Sequence, residues 1–289
     1  MKTTLRVYTQ LSKPSKTYKN QLAFVGFIIG VSICCPTFLS HFHALFFLYL
    51  KKKDYLCSVK RIFGTLFVFI LAFCALLLLV IGLQVMYPKE ALHLLLNSYH
   101  TSLEDTFFKY YSMLAEWPLY ALALLPILWK KIKITVFYAL CELLGGAIVQ
   151  ILKFFFTTAR PASVFENYPD VTLPVVEGVT LHHSNSFPSG HTSTFFIFMT
   201  CCALLLAYNY NRKARSLSER NQRHKLIFNC ILFNLLMLFL LTLAALGGYS
   251  RIYLSQHFLF DVFVGSIIGF LTPCVLFIYA SKKILNYDT

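Results

Sequence analysis

The sequence predicts an all-α integral membrane protein, a six-transmembrane-helix bundle with an extra N-terminal apolar segment. Composition is the first reason: of 289 residues 57% are hydrophobic and 13% charged, and the mean hydropathy is +0.64. Soluble domains carry about 25% charged residues, so this chain holds more apolar surface than one soluble core could hide. That excludes a disordered chain and argues against an ordinary cytosolic enzyme. The second reason is a set of six apolar runs, each near the roughly 20 residues that a helix needs to cross a bilayer. The third is the placement of Lys and Arg in short clusters between those runs, the pattern of loops held on the cytoplasmic side. The formal charge of +14 therefore reads as membrane topology, and no nucleic-acid partner is expected.

Residues 1–60 are read as a basic N-terminus around an apolar stretch at 21–50. Lys13, Lys16 and Lys19 precede that stretch and Lys51 to Lys53 follow it, so a single crossing would strand one cluster outside. Pro36, Ser40, His41 and His43 also interrupt it. A re-entrant or interfacial segment satisfies the charges. Residues 61–289 then form the six-helix domain, with spans at 62–85, 113–129, 134–156, 191–209, 226–248 and 258–280.

If the spans simply zigzag, the basic clusters fall on one face. They are Lys51, Lys52, Lys53, Lys60 and Arg61; Lys130, Lys131 and Lys133; Arg212, Lys213, Arg215, Arg220, Arg223 and Lys225; and Lys282 and Lys283. By the positive-inside rule this face is cytoplasmic. The opposite face holds only Lys89, Lys109, Lys153, Arg160 and Arg251, and is richer in acids. Two of its connecting segments are long. Residues 86–112 mix apolar and polar residues at helical spacing, as an interfacial amphipathic helix would. The proline-rich segment 158–188 is longer than a mere connector and is expected to be functional. The nine cysteines show no CxxC spacing. They are read as buried thiols, with neither a disulfide framework nor a zinc site.

Three polar clusters mark the outer ends of predicted helices. Lys153 and Arg160 lie seven residues apart, two helical turns, so both would project from one face. Pro161 disfavours helix at Arg160, so the helix should end there. In the second cluster, Pro188-Ser189-Gly190-His191, Ser189 is a candidate N-cap and Gly190 would let a ligand approach the backbone. A helix start of this kind attracts anions. In the third, Ser250 to Asp261, His257 and Asp261 are four apart and would be neighbours on a helix. The carboxylate would then hold one imidazole nitrogen protonated and aim the other outward. Each cluster alone also has a structural explanation: a snorkelling cation, an ordinary capped helix, or a self-satisfied His–Asp pair. Against the last stands the cost of a carboxylate at a membrane edge.

Together they supply three cations, one helix start, two histidines and one carboxylate on one membrane face. That inventory suits a phosphate, with one His to attack and one to protonate the leaving group. No cluster of metal-ligand type accompanies it, so no metal and no cofactor is expected. Among the other polar residues, Glu142 is read as an inter-helix hydrogen-bonding acid. Gly145 and Gly146 are read as helix-contact residues, His182 and His183 as solvated loop histidines, and Phe154 to Phe156 as lipid- or core-facing.

The three clusters resemble the signature of the type 2 phosphatidic acid phosphatases, relatives of the vanadium haloperoxidases: K-x6-R-P, P-S-G-H and S-R-x5-H-x3-D. Lys153 to Pro161, Pro188 to His191 and Ser250 to Asp261 match all three in order. The resemblance implies a helical bundle with six spans and a site at its outer face, the topology that the charges give independently. It implies that His257 is the nucleophile, forming a phosphohistidine, that Asp261 orients it, and that His191 is the general acid. Lys153, Arg160, Ser189, Gly190 and Arg251 would bind the phosphoryl oxygens. Thr157 and Thr158 stand where animal lipid phosphatases often carry Gly-Arg, which favours a bacterial member, set in the cytoplasmic membrane with its site outside.

The function expected is metal-independent hydrolysis of a lipid phosphomonoester or pyrophosphate. Candidate substrates are undecaprenyl pyrophosphate, phosphatidylglycerol phosphate, phosphatidate and the phosphates of lipid A, with bilayer lipids as the surroundings. The alternatives are a lipid phosphotransferase on the same fold and a non-catalytic transporter or scaffold.

Overall fold

The computed structural model describes residues 60–116, 132–219 and 222–284, and every regular element among them is a helix. The apolar stretch 21–50 and most of the span expected at 113–129 lie outside the described residues. Five long helices are α1 (Phe67–Met86), α4 (Ile132–Phe155), α6 (Gly190–Glu219), α7 (Arg223–Tyr253) and α8 (Leu259–Ile284). Each contains a stretch long and apolar enough to cross a membrane, and in hydrocarbon a helix satisfies all its backbone groups internally. Short helices α2 (Lys89–Leu96), α3 (Ser102–Met113) and α5 (Pro161–Phe165) lie in the connections.

Burial sorts the long helices. The apolar windows of α6 and α8 are 61% and 56% buried, against 11% for α1, 28% for α4 and 22% for α7. The pair α6 and α8 therefore forms the centre, and the other three present apolar faces outward. The core between them is aromatic: Phe73 of α1 stacks on Phe270 of α8 at 4.4 Å and meets Phe196 of α6 at 5.6 Å.

Close approach at the centre depends on two glycines four residues apart on α8. A Cβ at Gly265 would sit 2.5 Å from the Ser189 carbonyl oxygen, and one at Gly269 would sit 2.5 Å from the Ser193 carbonyl oxygen and from Phe196 Cβ. Lipid offers helices no hydrophobic drive to associate, so small residues that allow backbone contact take its place. Gly145 of α4 does the same against the Ile197 side chain, as expected. Gly146 does not, because among the described residues nothing lies within 4 Å of its would-be Cβ.

Three further expectations are revised. α4 ends at Phe155, and residues 156–160 are not helical; Pro161 instead begins α5, with Arg160 extended before it (φ −83°, ψ 166°). The segment 86–112 forms two helices rather than one interfacial helix. α3 shows an outward face with Leu103, Phe107 and Tyr110 exposed, but α2 is tucked in, with Glu90, Ala91, Leu92 and His93 buried. Among the described cysteines, Cys141, Cys201 and Cys274 are buried, whereas Cys74 and Cys230 are exposed on the outward faces of α1 and α7. Phe154 and Phe155 face outward, while Phe156 packs on the buried Phe187 ring at 5.7 Å.

Gly269→Ala should lower the thermal unfolding midpoint in detergent, since forcing a methyl against backbone costs about 1–3 kcal/mol. Gly146→Ala should be neutral or stabilising by up to about 1 kcal/mol. Equal midpoints for Gly269→Ala and the wild type would contradict the close α6–α8 crossing.

Candidate active site

The residues of all three clusters come together at one end of the bundle. Lys153 is in the last turn of α4, Arg160 caps α5, and Ser189 and Gly190 open α6 with His191. Arg251 is in the last turn of α7, His257 lies in the turn between α7 and α8, and Asp261 is in the first turn of α8.

Lys153 and Arg160 do not share a helix face as their spacing predicts. The 158–188 segment folds back on itself and brings them together. Ser186 N donates to the Thr158 carbonyl oxygen (3.0 Å), Arg160 N donates to the His183 carbonyl oxygen (3.0 Å), and Phe187 N donates to Thr158 Oγ1 (2.9 Å). The folded ends then present carbonyl groups to the cations. Lys153 Nζ donates to the Asn185 carbonyl oxygen (2.7 Å) and Arg160 Nε to that of Ser184 (2.8 Å). Arg160 Nη1 donates to the backbone and side-chain oxygens of Gln256 at 3.2 and 3.1 Å. Gln256 is held in turn by its Nε2, which donates to the Thr180 carbonyl oxygen (2.9 Å).

Arg251 is 8% exposed, and its Nη1 donates to Ser112 Oγ of α3. Among the described residues, its Nε is buried with no hydrogen-bond partner. Leaving a charged donor unpaired in a dry site is costly, and an anionic oxygen is the partner that a guanidinium takes best. At the start of α6, Ser189 Oγ accepts from Thr192 N (3.4 Å) and Thr192 Oγ1 (2.9 Å), the geometry of an N-cap. Among the described residues, a Cβ at Gly190 would meet only Val149, at ordinary contact distance, so their packing does not require glycine there.

His257 and Asp261 meet, but not as helix neighbours, because α8 begins only at Leu259. Asp261 Oδ2 caps that helix by accepting from Phe258 N (3.0 Å) and also accepts from Ser186 Oγ (2.6 Å). His257 Nδ1 is 3.7 Å from the same oxygen and 3.5 Å from Ser186 Oγ. A carboxylate and a hydroxyl that already donates to it leave only acceptors facing Nδ1. The imidazole proton therefore belongs on Nδ1, and Nε2 carries the free lone pair. Burial pushes the His257 pKa down to about 4, against the pull of Asp261 and with the help of Arg251 and Arg160. The ring is thus neutral near pH 7, as a nucleophile must be.

Three contributors escaped the sequence reading. Ser186 links His257 to Asp261, Gln256 orients Arg160, and Ser112 holds Arg251 from a different part of the chain. Glu142 lies in mid-span, away from the cluster, and accepts from Thr194 Oγ1 of α6, an inter-helix bond. His182 and His183 are exposed, with His183 Nδ1 3.2 Å from Glu166 Oε1. Among the described residues, no three His, Cys, Asp or Glu side chains are grouped as a metal site requires.

A helical membrane bundle whose one end gathers cations and a helix start around a neutral histidine and its partner carboxylate defines a membrane protein built to take an anion. The family model of the PAP2 superfamily matches residues 134–285, more than half of the chain, and the chain belongs to that superfamily. The crystal structure of Aquifex aeolicus LpxE is similar at 27% identity and a TM-score of 0.46, over 64% of this chain and 91% of that chain. A search of curated proteins finds no match.

Acid should expose the neutral histidines. Burial and the neighbouring Lys89 push the pKa of His93 down to about 3, and that of His257 lies near 4, against an ordinary 6.5 for both. Below pH 6.5 the unfolded chain therefore binds protons that the folded protein refuses. Stability is whole above 6.5 and falls as pH drops toward 4. Thermal midpoints in detergent should decline between pH 6.5 and 4.5, and His93→Gln should flatten the decline. A midpoint constant over that window would overturn the neutral assignment.

Proposed function

We propose that this protein is an integral membrane phosphatase that cleaves a lipid phosphomonoester or pyrophosphate through a phosphohistidine on His257. The observation that carries the reading is the unpartnered, buried Arg251 Nε beside a neutral imidazole. Membership of the PAP2 superfamily supports a lipid phosphatase. In this reading, Lys153, Arg160, Arg251 and the α6 amides at Ser189 and Gly190 hold the phosphoryl oxygens. Such preorganised donors stabilise charge most where water is excluded.

His257 Nε2 then attacks phosphorus. The bond from phosphorus to the leaving oxygen breaks, and His191, protonated from solvent as the negative charge of the bound phosphate offsets the surrounding cations, gives that oxygen its proton. In the second half, His191 takes a proton from water as its oxygen attacks the phosphohistidine, releasing phosphate and restoring both rings. Asp261, steadied by Ser186, keeps the Nδ1 proton in place and balances the imidazolium-like charge on His257 during attack. Orientation follows from charge. Lys60, Arg61, Lys133, Arg212, Lys213 and Lys225 all lie near the helix ends opposite the site, and by the positive-inside rule this charge pattern supports chemistry on the extracytoplasmic leaflet.

Phosphate release from a panel of lipid phosphates, with EDTA present, tests the activity. His257→Ala should abolish turnover and the trapped phosphoenzyme; residual activity within about tenfold of wild type would sink the assignment. His191→Ala should cost about 10²–10⁴-fold on a lipid monoester and much less on p-nitrophenyl phosphate, whose leaving group needs little proton help. Equal losses on both substrates would remove His191 from the acid role. Activity abolished by EDTA and restored by Mg²⁺ would contradict the site. Thiols introduced at Ser184 should label from outside and at Ser216 only after permeabilisation; the reverse would invert the topology.

A further inference from the structure

The turn that carries His257 has an unusual backbone. α7 ends in a Schellman motif: Ser255 N donates to the Ile252 carbonyl oxygen (2.9 Å) and Gln256 N to that of Arg251 (2.9 Å), where His257 N also donates (3.1 Å). In that motif the residue after the cap adopts the left-handed conformation and is usually glycine. Here it is Ser255, with φ +52°. A side chain at that φ is disfavoured, and it persists only when its surroundings enforce it.

The enforcement comes from α2. Lys89, His93 and Asn97 recur at four-residue spacing and so share one face of this segment. Lys89 Nζ lies 3.8 Å from the centre of the Phe258 ring, and the His93 ring meets Phe258 at 5.2 Å. His93 Nε2 is 3.4 Å from Ser255 Oγ, and Asn97 Nδ2 donates to the same oxygen at 2.8 Å. Ser255 Oγ in turn donates to the Pro174 carbonyl oxygen (2.7 Å). Asn97 is 0% exposed and Ser255 1%. The amide of Asn97 is itself fixed, since His100 Nε2 lies 2.8 Å from its Oδ1 and His100 Nδ1 lies 2.8 Å from Asp105 Oδ1.

We infer that Asn97 is a positioning residue: by holding the Ser255 hydroxyl it keeps the turn in the left-handed form that presents His257 to the phosphoryl group. The inference rests on the phosphatase reading for its effect on rate, though not for its effect on the turn. It differs from simple packing in one respect. If Asn97 serves to enforce an unfavourable φ, then glycine at position 255, which adopts that φ freely, should make Asn97 dispensable.

The test compares wild type, Asn97→Ala, Ser255→Gly and the double variant, each purified in detergent. The substrates are p-nitrophenyl phosphate and a lipid monoester. Asn97→Ala should lose about 10- to 100-fold in kcat, the scale of a displaced catalytic group, with KM within about threefold. Ser255→Gly should keep at least about a third of wild-type kcat, and the double variant should recover to the level of Ser255→Gly. Hydrogen exchange at the Gln256 and His257 amides supplies a readout without turnover. It should speed up about tenfold in Asn97→Ala relative to wild type and, in the double variant, return to the rate of Ser255→Gly. A wild-type rate and wild-type exchange in Asn97→Ala would overturn the inference. So would a double variant as impaired as Asn97→Ala, or loss of the folded gel-filtration peak in both. Absence of phosphate release from the wild type would strike the phosphatase reading instead, and the exchange rates would then decide the role of Asn97.

Discussion

The carboxylate of Asp261 and its own backbone carbonyl tie together parts of the chain that are remote in sequence. The side chain receives the Ser186 hydroxyl from the 158–188 segment and the Phe258 amide from the start of α8, while the backbone oxygen receives Ser189 N from the start of α6. An anion at the edge of a membrane bundle is costly unless it is paired and hydrogen-bonded. The Ser186 hydroxyl and the Phe258 amide therefore act twice, satisfying the carboxylate and fixing their own segments, while Ser189 N ties the start of α6 to the same residue. The loop, both central helix starts and the nucleophile are registered against one residue.

The cations face the opposite difficulty, since three of them converge with one carboxylate nearby. Repulsion among Lys153, Arg160 and Arg251 is met by neutral carbonyl and hydroxyl acceptors that orient each group without cancelling its charge. This leaves a net positive field at the site, and it reaches the exposed His182, whose pKa is lowered by burial and then by Arg160 and Arg251. A phosphoryl group arriving there supplies the missing negative charge. In a water-poor site that compensation is worth more than it would be in solution.

Much of this was legible in the sequence, for identifiable reasons. Apolar runs are long-range signals, and five of the six expected spans coincide with described helices. The motif residues were legible because residue type and fixed spacing carry their chemistry. Spacing misled where the chain leaves the helix. Seven residues from Lys153 to Arg160 and four from His257 to Asp261 both suggest helical neighbours, yet the first pair is joined by a folded loop and the second by a helix cap. Ser186, Gln256 and Ser112 gave no local signal, because a lone polar residue in a loop or short helix is ordinary. The inward face of α2 was hidden for a different reason. Lys89, His93 and Asn97 look like the polar side of an interfacial helix, and only the tertiary partner, the Ser255 turn, shows that this side points into the protein. Gly146 shows the same limit at the level of one residue: a glycine pair marks a helix contact without saying which member makes it.

The glycine-mediated seat of α8 on α6 has a consequence for how such a protein can change. His191 stands on one of these helices, and Asp261 on the other with His257 in the turn before it, so the geometry between them is set inside the central pair. Among the described long helices, α1, α4 and α7 carry the more exposed apolar faces. Hydrophobic length and tilt at that perimeter can follow the thickness of the surrounding bilayer while the spacing of the reacting groups stays constant. Adaptation to a new lipid environment and the spacing of the two histidines are thereby assigned to different helices, and only the ends of α4 and α7, which carry Lys153 and Arg251, must answer to both.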